Sequence, residues 1–127
     1  MDWKKTIMVV DDNTDILTVV RSILEKRGCE VQCATDGIEV FLRLEEKKPD
    51  LIVLDIILPQ MDGFEVLKRL KEDPETSDIP VIVLTARGQY RDVLQAYELG
   101  TDYYISKPFT GSQLLNGIKL ILDNGAS

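Results

Sequence analysis

The sequence predicts an α/β fold, with five short strands alternating with five helices around a parallel sheet. Three observations predict it. Brief apolar runs recur at residues 6–10, 51–54 and 81–84, too short for helices and rich in β-branched residues, as strands buried on both faces are. Between the runs lie amphipathic stretches with apolar residues three and four apart. The alternation is regular, the joins are short and there is no internal repeat, which calls for right-handed βαβ units with helices on both faces.

The first run ends in Asp11-Asp12. Asn13 or Thr14 then supplies an N-cap, and Asp15 puts negative charge in the first turn, where the helix dipole favours it. Ile16, Val20, Ile23, Leu24 and Arg27 keep a helical period, Leu17 and Val19 widen the stripe, and Gly28 ends the helix as a left-handed cap. Residues 29–34 alternate, Glu30 and Gln32 against Val31 and Cys33, as an edge strand with one wet face does. Asp36-Gly37-Ile38-Glu39 resembles a capping box opening a second helix, with Ile38, Phe41, Leu42 and Leu44 or Glu45 inside. Lys47-Lys48-Pro49 closes it.

The run at 51–54 ends in Asp55, and a loop from Ile56 to Gly63 leads to a helix carrying Phe64, Val66, Leu67 and Leu70. Residues 72–78 are a solvated turn, after which the fourth strand ends at Thr85-Ala86. Tyr90, Val93, Leu94, Tyr97 and Leu99 mark a fourth helix stopped by Gly100. Tyr103-Tyr104-Ile105, a weaker and more aromatic strand, runs into Ser106-Lys107-Pro108-Phe109. Thr110-Gly111-Ser112-Gln113 is a second capping box, with Leu114, Leu115, Ile118, Ile121 and Leu122 facing inward and a frayed tail at 123–127. Only the second strand alternates, so it belongs at an edge, and the first lies between the second and third. The prediction is a flavodoxin-like, doubly wound (βα)5 three-layer sandwich of sheet order 2-1-3-4-5. One domain is expected over 1–127, with its core at about 6–122.

Composition sets outer limits. The 127 residues, 44% hydrophobic and 29% charged, describe an ordinary globular domain. No apolar run nears the ~20 residues of a membrane span, and Met1-Asp2-Trp3-Lys4-Lys5 lacks the apolar core of a secretory signal. No membrane contact and a cytoplasmic location are expected. A net charge of −7 argues against direct nucleic-acid binding, which needs a basic face. There is no histidine, which excludes a Ser-His-Asp triad, a His-ligated zinc site and an internal phosphohistidine relay. Cys29 and Cys33 fall on one predicted strand. At ~3.3 Å per residue their Cα atoms stand about 13 Å apart, beyond disulfide reach. They are expected to be buried thiols in a reducing compartment.

Parallel strands carry their carboxyl ends to one edge, where open α/β sheets place ligands. Asp11, Asp12, Asp55, Thr85 and Lys107 therefore converge. Each has a plainer reading alone, as a turn residue, a helix cap or a solvated lysine; their occurrence at successive strand ends favours a pocket. Carboxylates ~5 Å apart at an effective dielectric of ~20 repel by on the order of 3 kcal/mol per pair. Such a cluster needs a cation, and oxygen donors without His or Cys select a hard ion, Mg²⁺. Lys107 suits an anionic oxygen and Thr85 offers a hydroxyl. Together they make a site for a transferring phosphoryl group, with Asp55 the candidate nucleophile.

Val9-Val10-Asp11-Asp12-Asn13, Leu54-Asp55-Ile56-Ile57-Leu58-Pro59-Gln60-Met61-Asp62-Gly63, Leu84-Thr85-Ala86 and Gly100-Thr101-Asp102-Tyr103-Tyr104-Ile105-Ser106-Lys107-Pro108-Phe109 closely resemble the receiver domain of two-component response regulators. The resemblance runs from about residue 6 to 122, with all four motifs in order. It implies that Asp55 accepts a phosphoryl group from a histidine kinase or phosphotransfer protein. Asp12 would bind Mg²⁺ directly and Asp11 mainly through water, with Asp55 and the Ile57 backbone carbonyl completing the protein's share; Mn²⁺ would substitute. Thr85, the Ala86 backbone and Lys107 would hold the phosphoryl oxygens, and the Lys107-Pro108 peptide would be cis. Thr85 and Tyr104 would form the switch, the ring turning inward as Thr85 moves.

The face from Tyr90 to Leu122 would then change to control a downstream protein or output domain, and it is the candidate homodimer face. No enzymatic turnover is expected beyond the domain's own phosphorylation and autodephosphorylation. Ile57 and Arg87, two residues past Asp55 and Thr85, are candidates to shield the acyl phosphate from water and tune its lifetime. The alternative is a small Mg²⁺-dependent phosphatase with an aspartyl nucleophile, which usually needs a second acid where Ile57 stands. A flavin-binding flavodoxin shares the fold, but Asp11-Asp12-Asn13 would repel a phosphate. A metal-independent docking module would discard the acids.

Overall fold

The apolar runs form the middle of the sheet. The computed structural model describes residues 2–86 and 89–125. Its strands are β1 (Thr6–Val10), β2 (Glu30–Ala34), β3 (Leu51–Leu54), β4 (Val81–Thr85) and β5 (Tyr103–Ser106). All pairings are parallel, in the order β2-β1-β3-β4-β5 predicted from sequence. The helices are α1 (Thr14–Glu25), α2 (Gly37–Glu46), α3 (Gly63–Glu72), α4 (Tyr90–Glu98) and α5 (Gly111–Gly125). None of the described helices is long and apolar enough to cross a membrane.

The two-residue period of a strand divides the core into two layers. Met8, Val10, Ile52, Leu54, Val81 and Val83 face Val40, Leu67, Leu70 and Ala96 on α2, α3 and α4. Ile7, Val9, Leu51, Val53, Ile82 and Leu84 face Leu17, Val20, Leu24, Leu114 and Ile118 on α1 and α5. Trp3 packs against this second layer, and its N–H donates to Arg27 O at 2.7 Å. Both sheet faces are thus covered, and only the strand ends and edges are open to chemistry.

Side-chain caps start the helices where the sequence indicates. Asn13 Oδ1 accepts from the N–H groups of Asp15 (2.9 Å) and Ile16 (3.3 Å), which fixes Asn13 rather than Thr14 as the cap. The Thr110–Gln113 box is reciprocal, at 3.1 and 2.8 Å. The box at α2 is displaced. Asp36 accepts from Glu39 N–H at 2.8 Å, but Glu39 Oε1 accepts from Thr35 N–H at 2.7 Å, one residue before the cap.

Several expectations about helix faces are corrected. Phe41 and Leu44 pack inward as expected, but Ile38 and Leu42, also expected inside, are 51% and 57% exposed, and Gly37 and Val40 are buried in their place. The phase follows from Gly37, which sits so close to the loop after β3 that a Cβ there would lie 2.6 Å from Met61 Cβ. On α4 the buried residues are Asp92 and Ala96, whereas Leu94 and Tyr97 are exposed. Val19, expected to widen the buried stripe of α1, is also exposed. Cys29 is buried just before β2, but Cys33 is only half-buried, with Arg21 Nη1 3.9 Å from its sulfur. Burial pushes both thiols up from the ordinary cysteine range. Residues 123–125, expected frayed, continue α5.

Candidate functional site

Asp11 and Asp55 are held by backbone before any side chain engages them. Asp11 N–H extends the sheet to Ala34 O (3.0 Å), and Asp55 N–H reaches Val10 O (2.9 Å). Each carboxylate then accepts from the amide two residues on, Asp11 Oδ1 from Asn13 N–H and Asp55 Oδ1 from Ile57 N–H, both at 2.9 Å. These are Asx turns, and they aim the second oxygen of each carboxylate into the pocket. Lys107 arrives from the end of β5, its N–H bonded to Thr85 O at 2.9 Å, and the Lys107-Pro108 peptide is cis as expected.

Lys107 Nζ donates to Asp11 Oδ2 at 2.6 Å and to Asp55 Oδ2 at 2.9 Å. Sequence reading reserves this lysine for an anionic oxygen of a ligand; here it bridges the two acids. Asp12 lies exposed at the rim, and one oxygen from each of Asp11, Asp12 and Asp55 falls within 4.8 Å of the others. Thr85 ends β4 fully buried, and Ala86 beyond it is exposed. Thr85 shares a sheet face with Val83, the register partner of Tyr104, and the Tyr104 ring packs into the same α2–α4 layer. Ile57 is 51% exposed beside Asp55. Arg87 lies outside the described residues. The sequence missed the orienting role of the Asn13 amide, although an Asp two residues before an Asn is a turn signal that points to it.

Burial in this crowded place raises the Asp11 carboxyl above the ordinary carboxylate value; Lys107 and the Asn13 amide oppose the rise and Asp55 adds to it. For Lys107, burial alone would lower the value, but the bonds to Asp11 and Asp55 outweigh it and the ammonium is held above its usual range. The pocket holds two nearly dry carboxylates that share one ammonium. A divalent ion fits the donor set. The set offers oxygen atoms alone, the donors a hard cation such as Mg²⁺ takes. A groove of about 720 Å³ opens at the opposite edge, lined by Lys5, Lys48, Asp50, Ile79 and Leu122 among others, and holds none of these groups.

Residues 7–119 match the family described as response regulator receiver domain, and the chain belongs to that family. The regulator RpaA of Synechocystis, named a DNA-binding dual master transcriptional regulator, is 42% identical over 91% of this chain and 48% of its own. The chain spans about half the length of the curated relatives it matches. A CheY-like receiver domain from Methanospirillum hungatei is 32% identical, with a TM-score of 0.91 over 97% of both chains. The Mn²⁺-bound response regulator Rcp1 is 31% identical, with a TM-score of 0.80 over 92% of this chain and 91% of that one. The phosphorylated cyanobacterial phytochrome response regulator RcpA is 34% identical, with a TM-score of 0.82 over 98% and 95%. None of these comparisons supports the phosphatase reading.

Proposed function

We propose that Asp55 is the phosphoacceptor of this receiver domain and that residues 6–122 act as one phosphorylation-driven switch. The observation that carries the reading is the convergence of Asp11, Asp12 and Lys107 on the Asp55 carboxylate. One Asp55 oxygen forms a bond to phosphorus as the P–N bond of a phosphohistidine breaks, and the departing imidazole takes up a proton. The phosphohistidine belongs to a sensor kinase or phosphotransfer protein, since this chain has no histidine. Asp11, Asp12, Asp55 and the Ile57 carbonyl would hold Mg²⁺, or Mn²⁺ in its place, which would supply positive charge against the phosphoryl oxygens.

Lys107 moves from the two acids to a phosphoryl oxygen, joined by the Thr85 hydroxyl and the Ala86 N–H. Phosphorylation adds roughly −2 charge. Driving the switch from 1:99 to 99:1 takes about 5.5 kcal/mol of differential interaction, so these contacts must form in one state only. Tyr104 follows Thr85 on their shared sheet face, and the surface from Tyr90 to Leu122 carries the change to a downstream protein, an output domain or a second copy. Ile57 and Arg87 shield the acyl phosphate from water. The domain turns over no substrate beyond its own phosphorylation and dephosphorylation, and it works in the cytoplasm without touching membrane or nucleic acid itself. Intact-mass measurement after acetyl phosphate and Mg²⁺ tests the reading. The native chain gains one phosphoryl group and Asp55→Asn gains none; equal gain in both rejects Asp55.

A further inference from the structure

The loop from Asp55 to Gly63 is pressed from two sides by helix starts that carry no side chain. Gly63 opens α3 and donates its N–H to Ile56 O at 3.0 Å. A Cβ on Gly63 would stand 2.2 Å from Ile56 Cα and 2.6 Å from Asp55 O. Both are backbone atoms, so relief would move the Asp55 peptide itself. Gly37 opens α2 against the far end of the same loop, where a Cβ would lie 2.6 Å from Met61 Cβ and 2.9 Å from Met61 O. Between these contacts the loop presents Ile57, whose N–H sets the Asp55 carboxylate at 2.9 Å. Other glycines lack this relation to the pocket: Gly117 on α5 faces the Tyr103 ring and the Ile105 side chain at 3.0–3.1 Å.

We propose that Gly63, backed by Gly37, is a positioning residue for the cation pocket, its missing side chain fixing where Asp55 and Ile57 present their oxygens. The inference rests on the reading of Asp11, Asp12 and Asp55 as a cation site. Mg²⁺ tolerates little departure from octahedral geometry, so a backbone shift of a few tenths of an ångström at two ligands is costly. A bulkier loop residue could be absorbed by solvent; a bulkier helix start cannot, because α3 is anchored by Val66, Leu67 and Leu70 in the core.

Titration calorimetry with Mg²⁺ and amide resonances of the metal-free protein test the inference on Gly63→Ala, Gly37→Ala and Gly117→Ala. Gly63→Ala weakens Mg²⁺ binding by about 10- to 100-fold, the cost of losing support around metal ligands. It also displaces the Asp55 and Ile57 resonances, Gly37→Ala acts in the same direction, and Gly117→Ala keeps native affinity. If Gly63→Ala does not fold, Gly37→Ala decides by the same two measurements. Native affinity with unmoved resonances in the first two variants overturns the proposal, as does an equal loss in Gly117→Ala. A native chain that binds no Mg²⁺ rejects the cation reading instead, and the Asp55 and Ile57 resonances then decide the positioning role alone.

Discussion

Lys107 Nζ lies 2.6 Å from Asp11 Oδ2 although 96 positions separate the two residues in the chain. The lysine side chain is 17% exposed and that of Asp11 only 3%, so the pair meets in a low-dielectric setting that rewards contact and punishes its loss. Lys107 also pairs with Asp55, so one ammonium is shared between two acids.

Replacing it exposes what it holds. Lys107→Met leaves two buried carboxylates facing each other, and the metal-free variant loses about 3 kcal/mol of stability, the range found when one partner of a buried ion pair is removed. Mg²⁺ restores most of the loss, because the ion takes the place of the missing charge, and Mg²⁺ affinity rises at least severalfold. Denaturant unfolding with and without Mg²⁺ checks both; a variant unfolding at the native midpoint without metal contradicts the account.

The pocket also sets a pH signature at each extreme. The Lys107 value is raised above 10.5, so its contribution is complete below that pH and is lost as pH climbs through the folded value. The Asp11 value is raised above 3.8, so the folded chain holds this proton longer than the unfolded one and stability falls as pH rises through that window. Unfolding midpoints of the metal-free chain against pH reveal both. Lys107→Met flattens the alkaline loss, and Asp11→Asn flattens the acidic one.

The role proposed for Ile57 is to keep water from the acyl phosphate: the residue is 51% exposed beside Asp55 and carries no polar group to recruit a nucleophile. Ile57→Asn supplies one and speeds dephosphorylation severalfold. Loss of phosphorylated protein after removal of acetyl phosphate, followed by mass, checks it; an unchanged half-life removes Ile57 from this role.

The corrected face of α2 yields a stability contrast. Leu42 is 57% exposed and Leu67 fully buried, although both are leucines on short helices beside the same layer. Leu42→Ala changes stability by less than about 0.5 kcal/mol, and Leu67→Ala costs about 2–5 kcal/mol through lost burial and the cavity left behind. Urea unfolding at one pH compares them directly.

What the sequence reveals follows from which forces act locally. The strand order and the convergence of Asp11, Asp55, Thr85 and Lys107 were legible because buried parallel strands are apolar throughout and end together at one edge. The caps at Asn13, Asp36 and Thr110 were legible because capping spans only three residues. The full inner face of α2 was not, because the approach of Gly37 to Met61 is decided by partners distant in the chain. The engagement of Lys107 with Asp11 and Asp55 was hidden for the same reason, since no spacing reveals which charge a lysine meets first.

The chain has a single tryptophan, and Trp3 is fastened to the α1–α5 side of the sheet, across from the layer that holds Tyr104. Indole emission is therefore a remote gauge. A cation that merely settled among the acids would leave it nearly silent, and any change in its colour or brightness on phosphorylation would mean that the rearrangement had travelled through the strands to the other side.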